Sequence, residues 1–213
     1  SIDPVGEGKT TTSESLCSIY VYKSPTHVRR YTEEGVENFI EGDKIVAAWC
    51  GRFDDINDTH ARLRMIIEWY NAWTLIENNI SLFIQYMIKE RKQKYLIPKN
   101  QMVFLKEAQA NKSVYQEYGW KNTGTLFKAH MLNYLIEWLK EVVEEDIDDD
   151  GVVKKKYHGI RRIPDVMAMV EMKAYRDGVN VDRLVSLAAL ISFVKIREAN
   201  TDKPVRVEND IEN

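Results

Sequence analysis

The sequence predicts an α/β fold in which helices flank a mixed central sheet within a single domain. Its first half contains short segments rich in β-branched and aromatic residues, and its second half contains long apolar patterns of helical period. A chain of 213 residues is long enough for one well-cored domain and short for two. Its composition, 44% hydrophobic and 30% charged, is that of an ordinary globular protein.

Strands and helices are mixed along the first half of the chain. A first strand is predicted to end at Asp3, and further strands are predicted at residues 16–22, 44–50, 73–77 and 95–97, the last one ended by Pro98. Helices are predicted at residues 58–70, with Asp58 as the N-cap, and at residues 80–91. This order of elements is typical of one mixed sheet rather than of separate modules.

The second half is predicted to be mainly helical. Helices are expected at residues 125–143, 165–175 and 181–198. Leu126, Met131, Leu132, Leu135 and Leu139 give the first of them an apolar face. Pro164 is a favourable residue for the start of the second.

A hairpin is predicted between the first two of these helices. Residues 146–151 have the composition of a turn, and residues 152–163 would return from it as a strand. Residues 146–163 are therefore interpreted as a hairpin insertion. The domain is expected to cover residues 1–200, followed by a polar tail at residues 201–213.

Charge and cysteine content limit the possible functions. The chain carries 30 basic and 33 acidic residues, a net charge of -3, so any contact with a nucleic acid must come from local basic patches. Cys17 and Cys50 each lie in an apolar, strand-like run, which argues against a disulfide framework or a zinc site and fits a reducing compartment.

No apolar run reaches membrane-spanning length and no signal peptide is visible, so no membrane partner is expected. The abrupt start at Ser1 suggests a fragment of a longer polypeptide.

Several familiar sites are excluded by spacing. The run from Gly6 to Thr11 lacks the first glycine of a phosphate-binding loop, because Asp3 occupies that position. The acidic run from Asp146 to Gly151 lacks the glutamate that closes a calcium-binding loop, since Tyr157 stands there. No pairing of a nucleophile with histidine is recognisable, so nucleophilic catalysis has no support.

Three acidic residues stand in settings that suggest a shared site. Asp3 ends the first strand, Glu77 ends a central strand, and Asp182 opens the last helix. Asp3 alone could be a turn residue and Asp182 alone an N-cap, but an ionised glutamate at the end of a buried strand is costly unless it is paired or binds a cation. Acids in this order meet in the ribonuclease-H-like fold. We therefore expect a carboxylate cluster that holds divalent cations.

Motifs spread over most of the chain strengthen this expectation. They are Ile2-Asp3-Pro4 with Gly6 and Gly8, Trp49-Cys50-Gly51-Arg52, Tyr70-Asn71-Ala72, Leu75-Ile76-Glu77-Asn78-Asn79, Gly119-Trp120-Lys121-Asn122-Thr123 with Lys128 and Met131-Leu132, and Asn180-Val181-Asp182-Arg183-Leu184-Val185. In these motifs the chain resembles the C-terminal nuclease domain of the large terminase subunit of tailed bacteriophages, a DNA-packaging protein.

This resemblance implies a viral enzyme that hydrolyses phosphodiester bonds of double-stranded DNA during genome packaging. Asp3, Glu77 and Asp182 would be its catalytic residues and the ligands of two Mg²⁺ or Mn²⁺ ions. The implied partners are double-stranded DNA, a portal protein, a small terminase subunit and an N-terminal ATPase domain that these residues do not include. The implied location is the host cell cytoplasm, transiently at the procapsid portal.

The third acidic motif departs from many members of that family. They carry two adjacent aspartates there, whereas in this chain Arg183 follows Asp182. Asp165 or, less plausibly, Glu171 could supply the additional acid.

An acidic pocket that cuts DNA needs basic residues around it to hold phosphates. The candidates are Lys121, Lys128, Lys154, Lys155, Lys156, Arg161 and Arg162. The sequence also leaves two alternatives open. One is another ribonuclease-H-like nuclease, such as a junction resolvase or a strand-transfer enzyme, and the other is an inactive module of the same fold that only binds DNA or protein.

Overall fold

In the residues that the structure describes, the chain folds as a mixed α/β structure with several antiparallel sheets and five α-helices. The computed structural model describes residues 1–6, 8, 15–99, 117–121, 125–176 and 181–201. Its strands are β1 Ile2–Asp3, β2 Cys17–Lys23, β3 Thr26–Thr32, β4 Gly35–Glu41, β5 Lys44–Gly51, β6 Val142–Ile147 and β7 Val153–His158. Its helices are α1 Ile56–Tyr70, α2 Leu82–Lys89, α3 Thr125–Lys140, α4 Val166–Ala174 and α5 Asp182–Thr201, with short 3-10 helices at Gln93–Tyr95 and Gly159–Arg162.

The largest sheet contains three antiparallel strands in the order β1-β2-β5. Ile2 pairs with Ile19 in one ladder, and Ile19 pairs with Trp49 in the other. The first five residues of β2 are all buried, which fits its place between two partners and its β-branched and aromatic composition.

Backbone hydrogen bonds continue beyond β1 to residues 74–77. The amide of Ile2 donates to the carbonyl oxygen of Leu75 at 2.8 Å, and the amide of Glu77 donates to the carbonyl oxygen of Ile2 at 3.0 Å. This is a parallel bridge between Ile2 and Ile76. On its other edge the same segment forms parallel bridges from Thr74 to Leu96 and from Glu77 to Trp120.

The predicted strands at 73–77 and 95–97 are therefore present only as isolated bridges. The second is shortened because the 3-10 helix Gln93–Tyr95 occupies its start. Pro98 was expected to end pairing, yet it forms an antiparallel bridge with Tyr118. Proline lacks only the amide donor, and the next residue supplies one, since the amide of Lys99 donates to the carbonyl oxygen of Glu117.

Two hairpins stand apart from this sheet. The β6–β7 hairpin agrees with the predicted turn near residue 150, although α3 ends at Lys140 and leaves the next residues to β6. The β3–β4 hairpin was not predicted. Most of its residues are exposed on both faces, so the alternation of apolar and polar residues that marks a half-buried strand is missing.

Buried side chains form two clusters on opposite faces of the sheet. Ile2, Ile19 and Ile76 belong to one cluster, together with residues of α1 and α2 such as Leu63 and Phe83. Tyr20 and Leu75 belong to the other cluster, which includes residues of α3, α4 and α5. Neighbouring strand residues alternate between the clusters, as the two-residue period of a strand requires.

The starts of two helices, α1 and α4, are fixed by aspartates. α1 begins two residues before the predicted position, because Asp55 rather than Asp58 caps it and accepts a hydrogen bond from the amide of Asn57. Asp165 caps α4 through the amides of Met167 and Ala168. None of the helices in the described ranges is both long and apolar enough to cross a membrane.

We predict that replacing Gly119 by alanine destabilises the fold beyond the effect of backbone strain. Gly119 has a φ of 73°, and a Cβ there would lie 2.6 Å from the carbonyl oxygen of Ile76. Gly151 has a φ of 79° but has open space around it, so Gly151→Ala isolates the cost of positive φ, about 1–3 kcal/mol. Urea unfolding should show an additional loss of about 1–3 kcal/mol in Gly119→Ala. Equal losses in the two variants would contradict the close packing at Gly119.

Candidate functional site

The parallel bridge between β1 and residues 74–77 brings Asp3 next to Glu77. Ile2 lies opposite Ile76, so the residues that follow them are also neighbours. Both isoleucines point into the cluster under α1 and α2, so Asp3 and Glu77 point to the opposite face of the sheet. Their side chains are joined by a hydrogen bond.

Asp182 reaches the same place from the first residue of α5. Its Oδ2 accepts a hydrogen bond from the amide of Leu16 at 2.8 Å. Its carbonyl oxygen accepts from the hydroxyl of Ser18 at 2.9 Å, and Ser18 is the cross-strand partner of Asp3. One turn further along α5, the hydroxyl of Ser186 donates to the carbonyl oxygen of Ser1. These contacts attach the start of the helix to β1 and β2.

Burial and neighbouring charge act strongly on Asp3. Burial of the carboxyl group, the negative charges of Glu77 and Asp182, and the hydrogen bond with Glu77 raise the pKa of Asp3 to about 8. The positive charge of Lys128 acts in the opposite direction. The carboxyl group of Asp3 therefore gives up its proton less readily than an exposed aspartate does.

A cavity of about 380 Å³ opens beside these carboxylates. It is lined by Asp3, Pro4, Val5, Gly6, Ser15, Leu16, Arg52, Ile80 and Asp182. Glu77 is only 5% exposed, and the side-chain amide of Asn79 donates a hydrogen bond to it. Asp3 and Asp182 thus face the cavity, while Glu77 is more deeply buried.

The donor chemistry of this site fits a hard cation. Across the described ranges, no group of three or more His, Cys, Asp or Glu side chains is arranged so that it could hold a metal ion. Asp3 and Glu77 are joined to each other by a hydrogen bond, and Asp182 accepts a hydrogen bond from Leu16. Even so, Asp3 is close enough to Glu77 and Asp182 for their charges to raise its pKa, and carboxylates are the ligands that Mg²⁺ and Mn²⁺ prefer. A cation bound among the three would relieve the repulsion that raises the pKa of Asp3.

Asp165 and Glu171 are both bound to Arg183. Glu171 forms an ion pair with Arg183 at 2.8 Å and accepts hydrogen bonds from the amides of Arg183 and Leu184. Asp165 lies 3.6 Å from Arg183 and accepts a hydrogen bond from the hydroxyl of Tyr20 at 2.6 Å. These carboxylates hold the start of α5, which carries Asp182. Participation of either acid in the metal site remains a prediction.

Two of the predicted DNA-binding lysines lie beside the carboxylates. Lys128 is exposed on α3 and close enough to lower the pKa of Asp3. Lys121 is exposed and directly follows Trp120, which forms a bridge with Glu77. The carboxylate site is therefore bordered by positive charge.

The basic residues of the β6–β7 hairpin follow the far end of α3 in the chain. The 12 residues from Lys128 to Lys140 span about 18 Å of α3, and the hairpin begins after that helix ends. Lys154, Lys156 and Arg161 form ion pairs with Asp148, Glu145 and Glu144. Lys155 and Arg161 both lie over the ring of Tyr157, at 4.8 and 3.5 Å from its centre.

Arg162 has a different environment from the other predicted DNA-binding residues. Its side chain is 13% exposed and lies 3.0 Å from Asp43 and 2.7 Å from Glu141. It also lies over the ring of Trp138. These contacts tie the 3-10 helix to the end of α3, so we expect Arg162 to stabilise the fold.

Ser18 and Arg52 were not identified as site residues from the sequence. Ser18 is fully buried within an otherwise apolar strand, and that pattern was a usable signal, because a buried hydroxyl needs a partner. Arg52 follows the end of β5 and bonds to backbone carbonyl groups of a distant segment. Backbone partners leave no mark in the sequence.

We predict that the metal-free protein loses stability as the pH rises from about 4 to about 8. The folded pKa of Asp3, about 8, lies above the ordinary aspartate pKa of 3.8, so in this interval the folded state binds more protons than the unfolded state. Urea unfolding across this range should show a negative slope of stability against pH. Asp3→Asn should flatten that slope, whereas Glu33→Gln in the exposed β3–β4 turn should not. An unchanged slope in Asp3→Asn would contradict the assigned protonation.

Comparisons of this chain with known protein families, with curated proteins and with solved structures find no match. The side chains themselves are therefore the only guide to function in the described residues, and the main feature is the approach of Asp3, Glu77 and Asp182 beside an open cavity.

Proposed function

We propose that this chain is a divalent-metal-dependent endonuclease that cleaves double-stranded viral DNA, as the nuclease domain of a terminase large subunit. The observation that carries the proposal is the meeting of Asp3, Glu77 and Asp182 at one end of the sheet, within electrostatic reach of each other. These residues come from the two ends and the middle of the chain. Phosphodiester hydrolysis is the chemistry for which such carboxylate sets are suited.

The backbone pairing supports a ribonuclease-H-like arrangement as part of this proposal. The hydrogen-bonded order is β5, β2, β1, residues 74–77, and then the segments around Leu96 and Trp120. β2 is antiparallel to both of its neighbours, whereas residues 74–77 run parallel to β1. When the isolated bridges are counted with the three-stranded sheet, the strand directions are mixed, and Asp3 and Glu77 lie at adjacent ends of two of the paired segments.

Asp3, Glu77 and Asp182 would hold two Mg²⁺ or Mn²⁺ ions, which would supply an activated water and stabilise the leaving oxygen. The protein's own contribution is the orientation of the oxygen ligands. Asn79 holds the carboxylate of Glu77, and Leu16 holds that of Asp182. Asp3 must release its proton when a cation binds, so the site binds metal more weakly as the pH falls.

DNA would be held by its phosphates along α3. Lys121 and Lys128 border the site, and Lys155 on the hairpin lies beyond the far end of the helix. The 12-residue interval between Lys128 and Lys140, about 18 Å, corresponds to about five base pairs of duplex DNA. Contacts of this kind hold the duplex without reading its sequence.

As part of this proposal the protein would act in the host cell cytoplasm, transiently at the procapsid portal. Its partners would be the portal protein, the small terminase subunit and an ATPase domain N-terminal to these residues. A second candidate is a catalytically inactive DNA-binding module of the same fold. It is favoured by the observation that no described group of acidic side chains is arranged so that it could hold a metal ion.

We predict that the purified chain nicks or cuts plasmid DNA with Mg²⁺ or Mn²⁺ and not with EDTA. Asp3→Asn, Glu77→Gln and Asp182→Asn should each lower the rate by about 10³-fold or more, because each removes a ligand that stabilises transition-state charge. Glu33→Gln is the control for loss of an acidic residue. Full activity in Asp182→Asn would refute its assignment. DNA binding without cleavage in any metal would favour the inactive module.

We predict that Lys121 and Lys128 contribute to DNA binding through phosphate contacts. Lys121→Gln and Lys128→Gln should each weaken binding at low salt and reduce the slope of log affinity against log salt by about 1. The measurement is fluorescence anisotropy with a labelled duplex, with Ca²⁺ in place of the catalytic ion. Lys23→Gln is the control, since Lys23 pairs with Glu41 at the far end of β2. A wild-type slope in Lys128→Gln would exclude its phosphate contact.

A further inference from the structure

One peptide group connects Arg52 with the carboxylate of Asp182. The carbonyl oxygen of Ser15 accepts a hydrogen bond from Nη1 of Arg52 at 3.1 Å. The amide of Leu16, which belongs to the same peptide unit, donates to Oδ2 of Asp182 at 2.8 Å. Because the unit is planar, fixing its carbonyl oxygen also fixes the direction of its N–H. A positive charge at one end and a negative charge at the other polarise the amide in the same sense, which strengthens both bonds.

Arg52 holds the connection between β1 and β2 at a second point. Its Nη2 donates a hydrogen bond to the carbonyl oxygen of Gly8. Gly8 lies so close to the chain after β5 that a Cβ on it would be 2.0 Å from the carbonyl oxygen of Asp54. The guanidinium group and the absence of a side chain at Gly8 thus act together to hold Gly8 against the chain after β5.

The position of these groups relates them to the proposed site. Ser15, Leu16, Arg52 and Asp182 line the same cavity as Asp3. Asp182 is the first residue of α5, so its side chain is not held by packing within the helix, and the amide of Leu16 supplies a fixed donor for its carboxylate.

We propose that Arg52 is a positioning residue that orients the carboxylate of Asp182 through the Ser15–Leu16 peptide group. The metal-binding consequence of this inference rests on the proposed function. Arg52 acts on the cation through Asp182 and does not touch it. Partners of this kind around metal ligands change metal affinity by about 10–100-fold when they are removed.

The geometry distinguishes this role from direct binding of a DNA phosphate. Two nitrogen atoms of the guanidinium group donate to two carbonyl oxygens that lie in different parts of one connection. Lysine keeps the charge but cannot reproduce this planar, forked arrangement. Arg52→Lys should therefore behave like Arg52→Ala if Arg52 positions the peptide group. Arg52→Lys should retain DNA binding if Arg52 contributes only its positive charge.

The first measurement is hydrogen exchange of the Leu16 amide in the metal-free protein. Exchange should become about tenfold faster in Arg52→Ala and Arg52→Lys, the change expected when a hydrogen bond to a charged group loosens. Gly8→Ala should have the same effect with Arg52 intact, since its Cβ would displace Gly8 and with it the second hydrogen-bond acceptor of Arg52. Arg29→Ala, at an exposed position of β3, is the control. Wild-type exchange of Leu16 in both Arg52 variants would overturn the inference.

The second measurement is Mn²⁺ affinity by titration calorimetry on the same variants, with folding checked by urea unfolding. Affinity should fall by about 10–100-fold in both Arg52 variants and in Gly8→Ala, and not in Arg29→Ala. Wild-type Mn²⁺ affinity in both Arg52 variants would overturn the positioning role. The role would also be overturned if Arg52→Lys restored Mn²⁺ affinity while the salt dependence of DNA binding changed. If the wild type itself binds no Mn²⁺, the proposed function fails, and Leu16 exchange still decides whether Arg52 orients Asp182.

Discussion

Parallel pairing between β1 and residues 74–77 is the constraint on which the charge distribution of this protein depends. That pairing places Asp3 beside Glu77 on the face covered by α5, and the first residue of α5 adds a third carboxylate. Burial makes the resulting repulsion expensive, because little solvent is present to screen it. The fold keeps the acidic groups together, and the pKa of Asp3 is raised as a result.

The surrounding structure holds this unfavourable arrangement in place. Ser18 and Ser186 attach α5 to the first two strands through backbone oxygens. Glu171 and Arg183 anchor the same helix start from α4. Proteins commonly concentrate such locally costly features at functional sites and offset them elsewhere in the fold. We interpret this end of the sheet as a functional site because acidic groups are concentrated there and many contacts hold them in place.

The sequence predicted the elements with a strong periodic pattern. The central strands at 17–23 and 44–51 and the helices at 56–70 and 182–201 agree with the predictions to within a few residues. The β3–β4 hairpin was missed because neither of its faces is buried against the sheet. Asp58 was taken for the cap that Asp55 provides, since both residues precede the apolar pattern and only the backbone geometry distinguishes them.

The acidic residues of the site could be named from the sequence because each one stands at the end of an element. The residues that hold them could not. Arg52 and Leu16 act on Asp182 through one peptide group, and these contacts join positions 37 and 166 residues apart in the chain. Such partners are determined by how the segments pack together, and no local pattern records them. Arg162 was grouped with the hairpin lysines from its charge alone, whereas its burial and its ion pairs with Asp43 and Glu141 depend on the fold.

The most direct test of this account is to measure how many protons are released when Mn²⁺ binds. Calorimetric titrations at neutral pH in two buffers of different ionisation enthalpy give the number of protons released. The account predicts binding with release of about one proton per chain, because a cation must displace the proton held by Asp3. Absence of Mn²⁺ binding, or binding that releases no proton, would contradict the claim that these carboxylates form a cation site.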